Sequence, residues 1–329
     1  MENSKKPDEK MYTNIAQRLT TDNVILDSII AEAVSWQPTS VDRLVLGVGN
    51  EVYKLVHPTE VVQNVILRIH HGDHKGFYFE KWAMEESRKH GVLVPKILKI
   101  GTVQAENKIL TYCAEKELRG IPLSEILDNV ISVTQMKTYA HLAGEALAKI
   151  HQVQTVGFGH FSENGIAPFK NLKDSIQQHD DYNNLIKVAH IAEVPEQVIE
   201  DAIKIVDNVS SEEKPHLIHV DYAPKHIFFD GETITGVIDF EICMSGIAAT
   251  DLNRWRTQDN RLPMLDLIEG YKKVRELPAD FWETMFAVQV HSALRTMLYH
   301  LNISKEKSEI LRAVEELKNL LKTNKPLLH

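Results

Sequence analysis

The sequence contains little cysteine, with Cys113 and Cys243 as its two thiols among 329 residues. Two cysteines so far apart cannot build a disulfide framework or a zinc site of cysteine pairs, and this usage is typical of a reducing compartment. The N-terminal segment lacks the apolar core of a signal peptide, and no run approaches the roughly 18 apolar residues of a membrane span. We therefore expect a cytoplasmic protein with no membrane partner.

An excess of basic residues is also lacking. Lysine and arginine number 37 and aspartate and glutamate 46, so the formal net charge is −9. A general nucleic-acid-binding protein normally carries the opposite balance, because it must neutralise phosphates. The composition thus argues against a nucleic-acid partner and is compatible with a cationic one.

Several common nucleotide and hydrolase motifs do not occur. None of the 15 glycines precedes lysine, which excludes a Walker A loop, and neither G-x-G-x-x-G nor G-x-S-x-G is found. P-loop kinases, Rossmann dehydrogenases and α/β-hydrolases are therefore disfavoured. The histidine-rich stretch HHGDH at 70–74 has no second ligand pair at zinc spacing, so we interpret it as a solvated loop.

Two kinds of pattern divide the chain. Residues 41–114 predict three strands, a helix and two further strands, because β-branched and aromatic residues alternate between glycine-rich turns. After position 114, helical periodicity dominates. A leading helix is predicted after Asn23 as N-cap, and Asp280 with Glu283 resembles a capping box that opens a late helix. We expect an α+β protein with a β-rich part at 1–114 and a mostly helical part at 115–329.

One β-hairpin interrupts the helical part and brings chemical groups together. HIFFDGETITGVIDF predicts two strands closed by the Asp-Gly turn at 230–231. His226 begins the first strand and Asp239 ends the second, so both should lie at the open end of the hairpin, beside the loop that carries Asp221. Such a group can hold a hard divalent cation between Asp239 and His226, and it leaves Asp221 to accept a proton from a hydroxyl.

The segments HVDYAPKH and VIDFE resemble the catalytic and metal-binding segments of the aminoglycoside phosphotransferase family, small-molecule kinases that share the protein-kinase fold. The family pattern is His-x-Asp, four residues, Asn, and then Ile-Asp-Trp or Ile-Asp-Phe. The resemblance implies that Asp221 is the catalytic aspartate and that Asp239 binds Mg²⁺. His226 stands where the family usually has Asn, and macrolide phosphotransferases, a related branch, are similar in having His there.

The resemblance extends over nearly the whole chain and is greatest to the hygromycin-type branch, in segments such as VILRIHHGDHKGFYFEKW and LVPKILKIG. It implies a two-lobed, protein-kinase-like fold, with a small β-rich N-terminal lobe that binds nucleotide and a larger, mostly helical C-terminal lobe. The nucleotide-binding residues that it implies are Gly47, Gly49 and Asn50 in the covering loop, Arg68 in place of the kinase lysine, its helix-borne partner Glu80, and the hinge at 111–115, where the backbone of Tyr112 and Ala114 meets the purine.

The function implied by this resemblance is transfer of the γ-phosphate of ATP or GTP, with Mg²⁺, to a hydroxyl of an aminoglycoside-like antibiotic. Glu241, Asp251 and Glu269 are candidates for pairing with ammonium groups of the acceptor, although Asp251 can equally cap a helix. A macrolide kinase, a metabolite kinase and a kinase-fold nucleotide-binding protein with little activity remain open. The sequence distinguishes neither ATP from GTP nor one oligomeric state from another.

Overall fold

The structure is a computed structural model, and it describes residues 19–44, 49–59, 62–105, 108–129, 131–177, 182–258 and 261–328. Among these residues, none of the helices has both the length and the apolar character needed to cross a membrane.

The first part of the chain forms an antiparallel five-stranded sheet with the strand order β1-β2-β3-β5-β4. Alternate side chains of its strands point to a core that contains Leu55, Leu67 and Ile69, as the alternation in the sequence predicts. The strands are β1 (Ser40–Leu44), β2 (Asn50–Val56), β3 (Val65–His70), β4 (Ile97–Ala105) and β5 (Lys108–Lys116).

Two helices accompany this sheet. Helix α1 (Asn23–Ala33) packs on the side of β4 and β5, and helix α2 (Gly76–Lys89) connects β3 to β4. The expected N-cap was wrong by one position, because Asp22, not Asn23, accepts a hydrogen bond from the backbone N–H of Val24. Asp and Asn are both good N-cap residues, so the backbone conformation, and not side-chain chemistry, decides where the helix begins.

The remaining chain is mostly helical. Its helices are α3 (Leu123–Leu127), α4 (Val133–Ile150), α5 (Leu172–Gln177), α6 (Tyr182–Ala192), α7 (Glu196–Asp207), α8 (Ala248–Gln258), α9 (Met264–Lys272), α10 (Phe281–Tyr299) and α11 (Lys307–Thr323), with a π-helical turn at His300–Ser304.

Helices α4 and α9 cross at close range, and two glycines allow it. A Cβ atom on Gly144 would lie 2.0 Å from the carbonyl oxygen of Leu267, and one on Gly270 would lie 2.1 Å from that of His141. Since carbon and oxygen atoms cannot approach so closely, each helix needs glycine where the other passes.

The capping box predicted at the start of α10 was wrong. Asp280 precedes the helix, but it makes no side-chain cap there. Its Oδ2 atom instead accepts a hydrogen bond of 2.8 Å from the backbone N–H of Glu212. The Asp280 carboxylate therefore binds a residue distant in sequence and, contrary to what the local pattern predicted, does not cap the helix.

Short β elements fill the centre of the helical part. Strand β7 (His216–Ile218) pairs with β10 (Met244–Gly246), and β8 (Ile227–Phe229) pairs with both β6 (Ile121–Pro122) and β9 (Ile234–Val237). A 3₁₀ turn, Pro224–His226, leads into β8. The pair β8 and β9 is the predicted hairpin, and its open end carries the residues of the candidate active site.

Candidate active site

The loop before the hairpin contains an unusual backbone conformation. Val220 has a φ of 70°, in a left-handed region that β-branched residues rarely adopt. The Asp251 carboxylate, on α8, accepts hydrogen bonds of 2.6 Å from the backbone N–H of Val220 and 2.7 Å from that of His219. Asp251 therefore holds this loop in its strained shape.

The role predicted for Asp251 in acceptor binding needs correction. Its side chain is fully buried, and its Oδ2 also accepts a 3.0 Å hydrogen bond from Nε2 of His151. Burial raises the pKa of the Asp251 carboxyl, and the donors around it oppose this rise. A carboxylate enclosed in this way cannot reach the ammonium group of a ligand.

The open end of the hairpin brings His226 and Asp239 together, although not through the register of a two-residue Asp-Gly turn, which would place His226 opposite Thr235. Ile227 instead pairs with Val237, and the register shifts between Phe228 and Phe229. Nε2 of His226 lies 3.1 Å from Oδ2 of Asp239, and Nδ1 of His226 lies 2.8 Å from the carbonyl oxygen of Asp221. Asp239 also has a left-handed backbone conformation, with φ of 68°. Ligand atoms of all three residues lie within 4.8 Å of one another.

This donor set fits a divalent cation. Two carboxylates and an imidazole supply hard and borderline ligand atoms at one point. The second ring nitrogen of His226 bonds to the carbonyl of Asp221, which is the usual arrangement for a histidine that ligates metal, because it orients the ring. His226 and Asp239 would hold the ion, and Asp221 lies beside them.

Asp221 is surrounded by basic side chains. Nε and Nη2 of Arg254 donate to its Oδ1 at 3.0 and 2.7 Å, and Nζ of Lys225 lies 3.2 Å from its Oδ2. Burial raises the pKa of the Asp221 carboxyl, but the basic groups of His226, Lys225 and Arg254 outweigh burial and lower it below its ordinary value. Asp221 is consequently a carboxylate at neutral pH.

Sequence reasoning missed Arg254. It lies on α8 three residues after Asp251, so the two side chains share one helix face and both meet the loop at 219–221. This spacing was visible in ATDLNRW, and it is the signal that could have identified Arg254 once Asp251 was connected to the loop.

Arg68 lies on β3 at the centre of a buried ionic cluster. Its Nη2 atom is 2.6 Å from a carboxylate oxygen of Glu80 on α2 and 3.4 Å from one of Glu115 on β5. Its guanidinium also lies over the ring of Phe77, 5.0 Å from the ring centroid. The structure thus brings the expected pair Arg68 and Glu80 together, and it adds Glu115, which the sequence did not indicate as a partner.

The nucleotide-covering loop is only partly described. Gly47 lies outside the described residues, whereas Gly49 and Asn50 lie at the start of β2. Oδ1 of Asn50, Nε of Arg68 and Oε1 of Glu80 are buried without a hydrogen-bond partner among the described residues. Buried polar atoms of this kind are normally satisfied, so ordered water or a polar ligand would complete their hydrogen bonding.

Glu241 contacts the N-terminal sheet rather than an acceptor site among the helices. Its Oε2 accepts a 2.6 Å hydrogen bond from Nδ2 of Asn50, and its Oε1 lies 3.1 Å from Nε2 of His74. Oε2 also lies 4.0 Å from Nη1 of Arg68. The expectation that Glu241 pairs with acceptor ammonium groups is therefore replaced by a position beside the expected nucleotide groups.

Glu269 lies on the surface of α9. Its carboxylate is 3.2 Å from Nζ of Lys137 and 3.2 Å from Nε2 of His141, both on α4. Hydrogen bonding and charge from Lys137 lower the pKa of Glu269. Its charge is already matched by the chain, which weakens the case for a role in binding a cationic acceptor.

Tyr112 and Ala114 cannot offer backbone groups to a purine. They lie in β5, which pairs with β3 on one side and β4 on the other, so their N–H and C=O groups face neighbouring strands. The Tyr112 hydroxyl donates instead to Glu32 of α1 at 2.9 Å. The expected hinge at 111–115 needs correction, because the chain leaves the sheet only after Lys116.

The HHGDH stretch is not a solvated loop. His71 contacts the buried carboxylate of Glu51, and its Nδ1 accepts a 2.8 Å hydrogen bond from Nζ of Lys108. The ring of His74 stacks on that of His70, with centroids 4.2 Å apart. These histidines therefore tie the end of β3 to the sheet and to Glu241.

Two curated kinases are similar in sequence to this chain. The chain is similar to hygromycin-B 4-O-kinase of Escherichia coli, with 26% identity over 177 residues, which cover 52% of this chain and 49% of that protein. It is also similar to homoserine kinase of Sinorhizobium medicae, with 33% identity over 93 residues, 26% of this chain and 28% of that protein. The chain spans about half or less of the length of these curated relatives.

The fold is similar to that of a thermostable mutant of aminoglycoside phosphotransferase APH(4)-Ia, solved as a ternary complex with AMP-PNP and hygromycin B. The TM-score is 0.68 at 18% identity, and the match covers 91% of this chain and 98% of the other. The predicted α+β, protein-kinase-like fold is thus confirmed. The model of the phosphotransferase enzyme family matches residues 40–279, most of the sequence, and the chain therefore belongs to the phosphotransferase enzyme family.

Proposed function

We propose that this protein is a small-molecule kinase, which transfers the γ-phosphate of ATP or GTP to a hydroxyl group of an aminoglycoside-like acceptor in the presence of Mg²⁺. The observation that carries the proposal is the convergence of Asp221, His226 and Asp239 at the open end of the hairpin. A proton acceptor beside a metal-binding pair is the arrangement that phosphoryl transfer to a hydroxyl requires.

In this mechanism, Asp221 orients the acceptor hydroxyl and accepts its proton through Oδ2. Oδ1 is held by Arg254, so the carboxylate keeps one orientation during the reaction. His226 and Asp239 would hold the Mg²⁺ ion, which would supply charge neutralisation at the transferring phosphate when bound. Catalysis then consists mainly of positioning and of electrostatic stabilisation.

The nucleotide would bind between the sheet and the hairpin. Arg68, fixed by Glu80, is the expected cation for the phosphates, and Gly49 and Asn50 border the same space. The purine would meet backbone groups after Lys116, where β5 ends, rather than those of Tyr112 and Ala114. The division into a nucleotide lobe at 1–114 and an acceptor lobe at 115–329, like the cytoplasmic location, remains part of this proposal.

Similarity to hygromycin-B 4-O-kinase is the reason to test aminoglycosides first. A second candidate is a metabolite kinase whose acceptor carries an anionic group near its hydroxyl. It is favoured by the cations beside Asp221, since the side chains of Arg254 and Lys225 are 41% and 51% exposed. The acidic residues expected to receive a polycation are buried or already paired, which adds weight to this second candidate.

The test is a coupled assay for nucleoside diphosphate release, with ATP and with GTP, against aminoglycosides, macrolides and hydroxy amino acids. We expect turnover with one class and its loss in Asp221→Asn. The matched control is Asp230→Asn at the exposed turn of the same hairpin, where Oδ1 caps two backbone N–H groups. Full turnover by Asp221→Asn would refute the catalytic assignment, and absence of turnover with every acceptor would favour a nucleotide-binding protein.

A further inference from the structure

The hydrogen bond at Nδ1 of His226 determines which ring nitrogen carries the proton. Nδ1 lies 2.8 Å from the backbone carbonyl oxygen of Asp221, and a carbonyl can only accept. Nδ1 must therefore be the protonated nitrogen. In the neutral ring, Nε2 then presents a lone pair toward Oδ2 of Asp239, which is 3.1 Å away.

Nε2 and Oδ2 at this separation share a positive charge, which is either a proton on a charged ring or a metal ion that replaces that proton. Ligands in neighbouring positions of an octahedral ion, each at about 2.1 Å, lie about 3.0 Å apart. The separation of Nε2 and Oδ2 agrees with this value. The ring is also fixed in orientation, because it is largely buried and stacks nearly parallel to His219 at an angle of 18°.

From this geometry we propose that Nε2 of His226 is a direct metal ligand. The preference of the site for Mn²⁺ over Mg²⁺ is therefore stronger than it would be with an oxygen ligand at this position. The inference rests on the proposed function, because the ion is expected to bind together with nucleotide. Mg²⁺ strongly prefers oxygen ligands, whereas first-row transition ions of the same geometry accept imidazole. His226 therefore influences which metal ion binds, and it does more than fill the position that Asn has in the family.

Nitrogen coordination can be observed directly on the full-length protein with Mn²⁺ and AMP-PNP. Electron spin echo envelope modulation detects a ¹⁴N nucleus bonded to Mn²⁺, and we expect this coupling in the wild-type protein. Incorporation of ¹⁵N-histidine should change the coupling without any substitution. His226→Asn, which places an amide oxygen at the same position, should bind Mn²⁺ and lack the coupling.

The second measurement is competition between the two ions. The paramagnetic signal of free Mn²⁺ gives its dissociation constant, and titration with Mg²⁺ gives the ratio of the two affinities. We expect this ratio to favour Mn²⁺ about tenfold more in the wild type than in His226→Asn. Equal ratios, or bound Mn²⁺ without nitrogen coupling in the wild type, would overturn the proposal.

Failure of the proposed function gives a different result. Mn²⁺ that binds equally well without nucleotide, and still shows nitrogen coupling, would support the ligand and contradict a nucleotide site. Absence of any bound Mn²⁺ with or without AMP-PNP would overturn both. If His226→Asn does not fold, the isotope experiment on the wild-type protein still decides whether histidine is a ligand.

Discussion

Arg254 holds one oxygen of Asp221 through two donors. Its Nε and Nη2 atoms lie 3.0 and 2.7 Å from Oδ1, whereas Oδ2 faces Lys225 and the hairpin. The two residues are 33 positions apart and belong to a helix and a loop. This contact gives the Asp221 carboxylate a defined rotation, which a proton acceptor in phosphoryl transfer requires.

Removal of this contact should reduce turnover more than nucleotide binding. In Arg254→Ala we expect kcat to fall roughly 10- to 100-fold, because the carboxylate can rotate, with little change in the KM for nucleotide. Arg254→Lys should restore part of kcat, and added guanidinium should partly rescue the alanine variant. Arg261→Ala, which breaks an exposed pair with Asp128, is the control. A KM effect alone would show that Arg254 binds a ligand instead.

Glu241 places a negative charge where the phosphates are expected. Its carboxylate accepts a hydrogen bond from Nδ2 of Asn50 and lies 4.0 Å from Nη1 of Arg68. In Glu241→Gln we expect the nucleotide to bind about 3- to 10-fold more tightly, because the charge that competes with phosphate is removed and the shape is kept. Isothermal titration with AMP-PNP measures the change.

The matched control for Glu241 is Glu145→Gln, whose carboxylate on α4 pairs with Nζ of Lys273 at the end of α9. Weaker nucleotide binding by Glu241→Gln would contradict the prediction, and it would indicate that the carboxylate supports the metal or the nucleotide.

Asp251 should be important for both stability and turnover. Asp251→Asn keeps the volume but presents an N–H₂ group to the backbone N–H donors of His219 and Val220. We expect the free energy of unfolding to fall by about 2 to 4 kcal/mol, because buried donors lose their acceptor. Denaturant unfolding and kcat should be measured together. A destabilised variant with unchanged kcat would show that the loop keeps its shape without this carboxylate.

Stability should also depend on pH through two buried histidines. Burial is the main cause that lowers the pKa of His151 and His216 well below its ordinary value. Below about pH 6.5 the unfolded chain takes up protons that the folded chain refuses, so the free energy of unfolding falls as pH decreases. The slope is at most about 1.4 kcal/mol per pH unit for each histidine.

Denaturant unfolding between pH 8 and 5.5 measures this slope. His216→Asn retains a group that can donate to the carbonyl of Lys214, as Nδ1 does now, and it should reduce the slope. An identical slope in the variant and the wild type would show that His216 accepts a proton in the folded state.

Local patterns in the sequence predicted the order of strands and helices in the first part of the chain and the hairpin at its Asp-Gly turn. His226 and Asp239 could be placed at the same end of the hairpin because one begins its first strand and the other ends its second. Their contact at 3.1 Å depends in addition on the register shift between Phe228 and Phe229, which the turn sequence does not predict.

Other parts of the site depended on distant contacts. Glu241 and Asp251 are both acidic residues near the hairpin, and no local pattern separates them, yet one meets Asn50 and the other is enclosed beneath the loop at 219–220. Tyr112 and Ala114 matched the expected hinge, but the strand order made β5 an interior strand.

The sequence by itself determined the secondary-structure pattern, which follows from periodicity, and its resemblance to a known family pointed to the kind of fold and to the pair of metal-binding candidates. Only the tertiary structure decided the partners of Asp221, Glu241 and Asp251, because burial and charge pairing depend on elements that are distant along the chain. A carboxyl group can orient a loop, pair with a cation or accept a proton, and the elements that pack against it decide which.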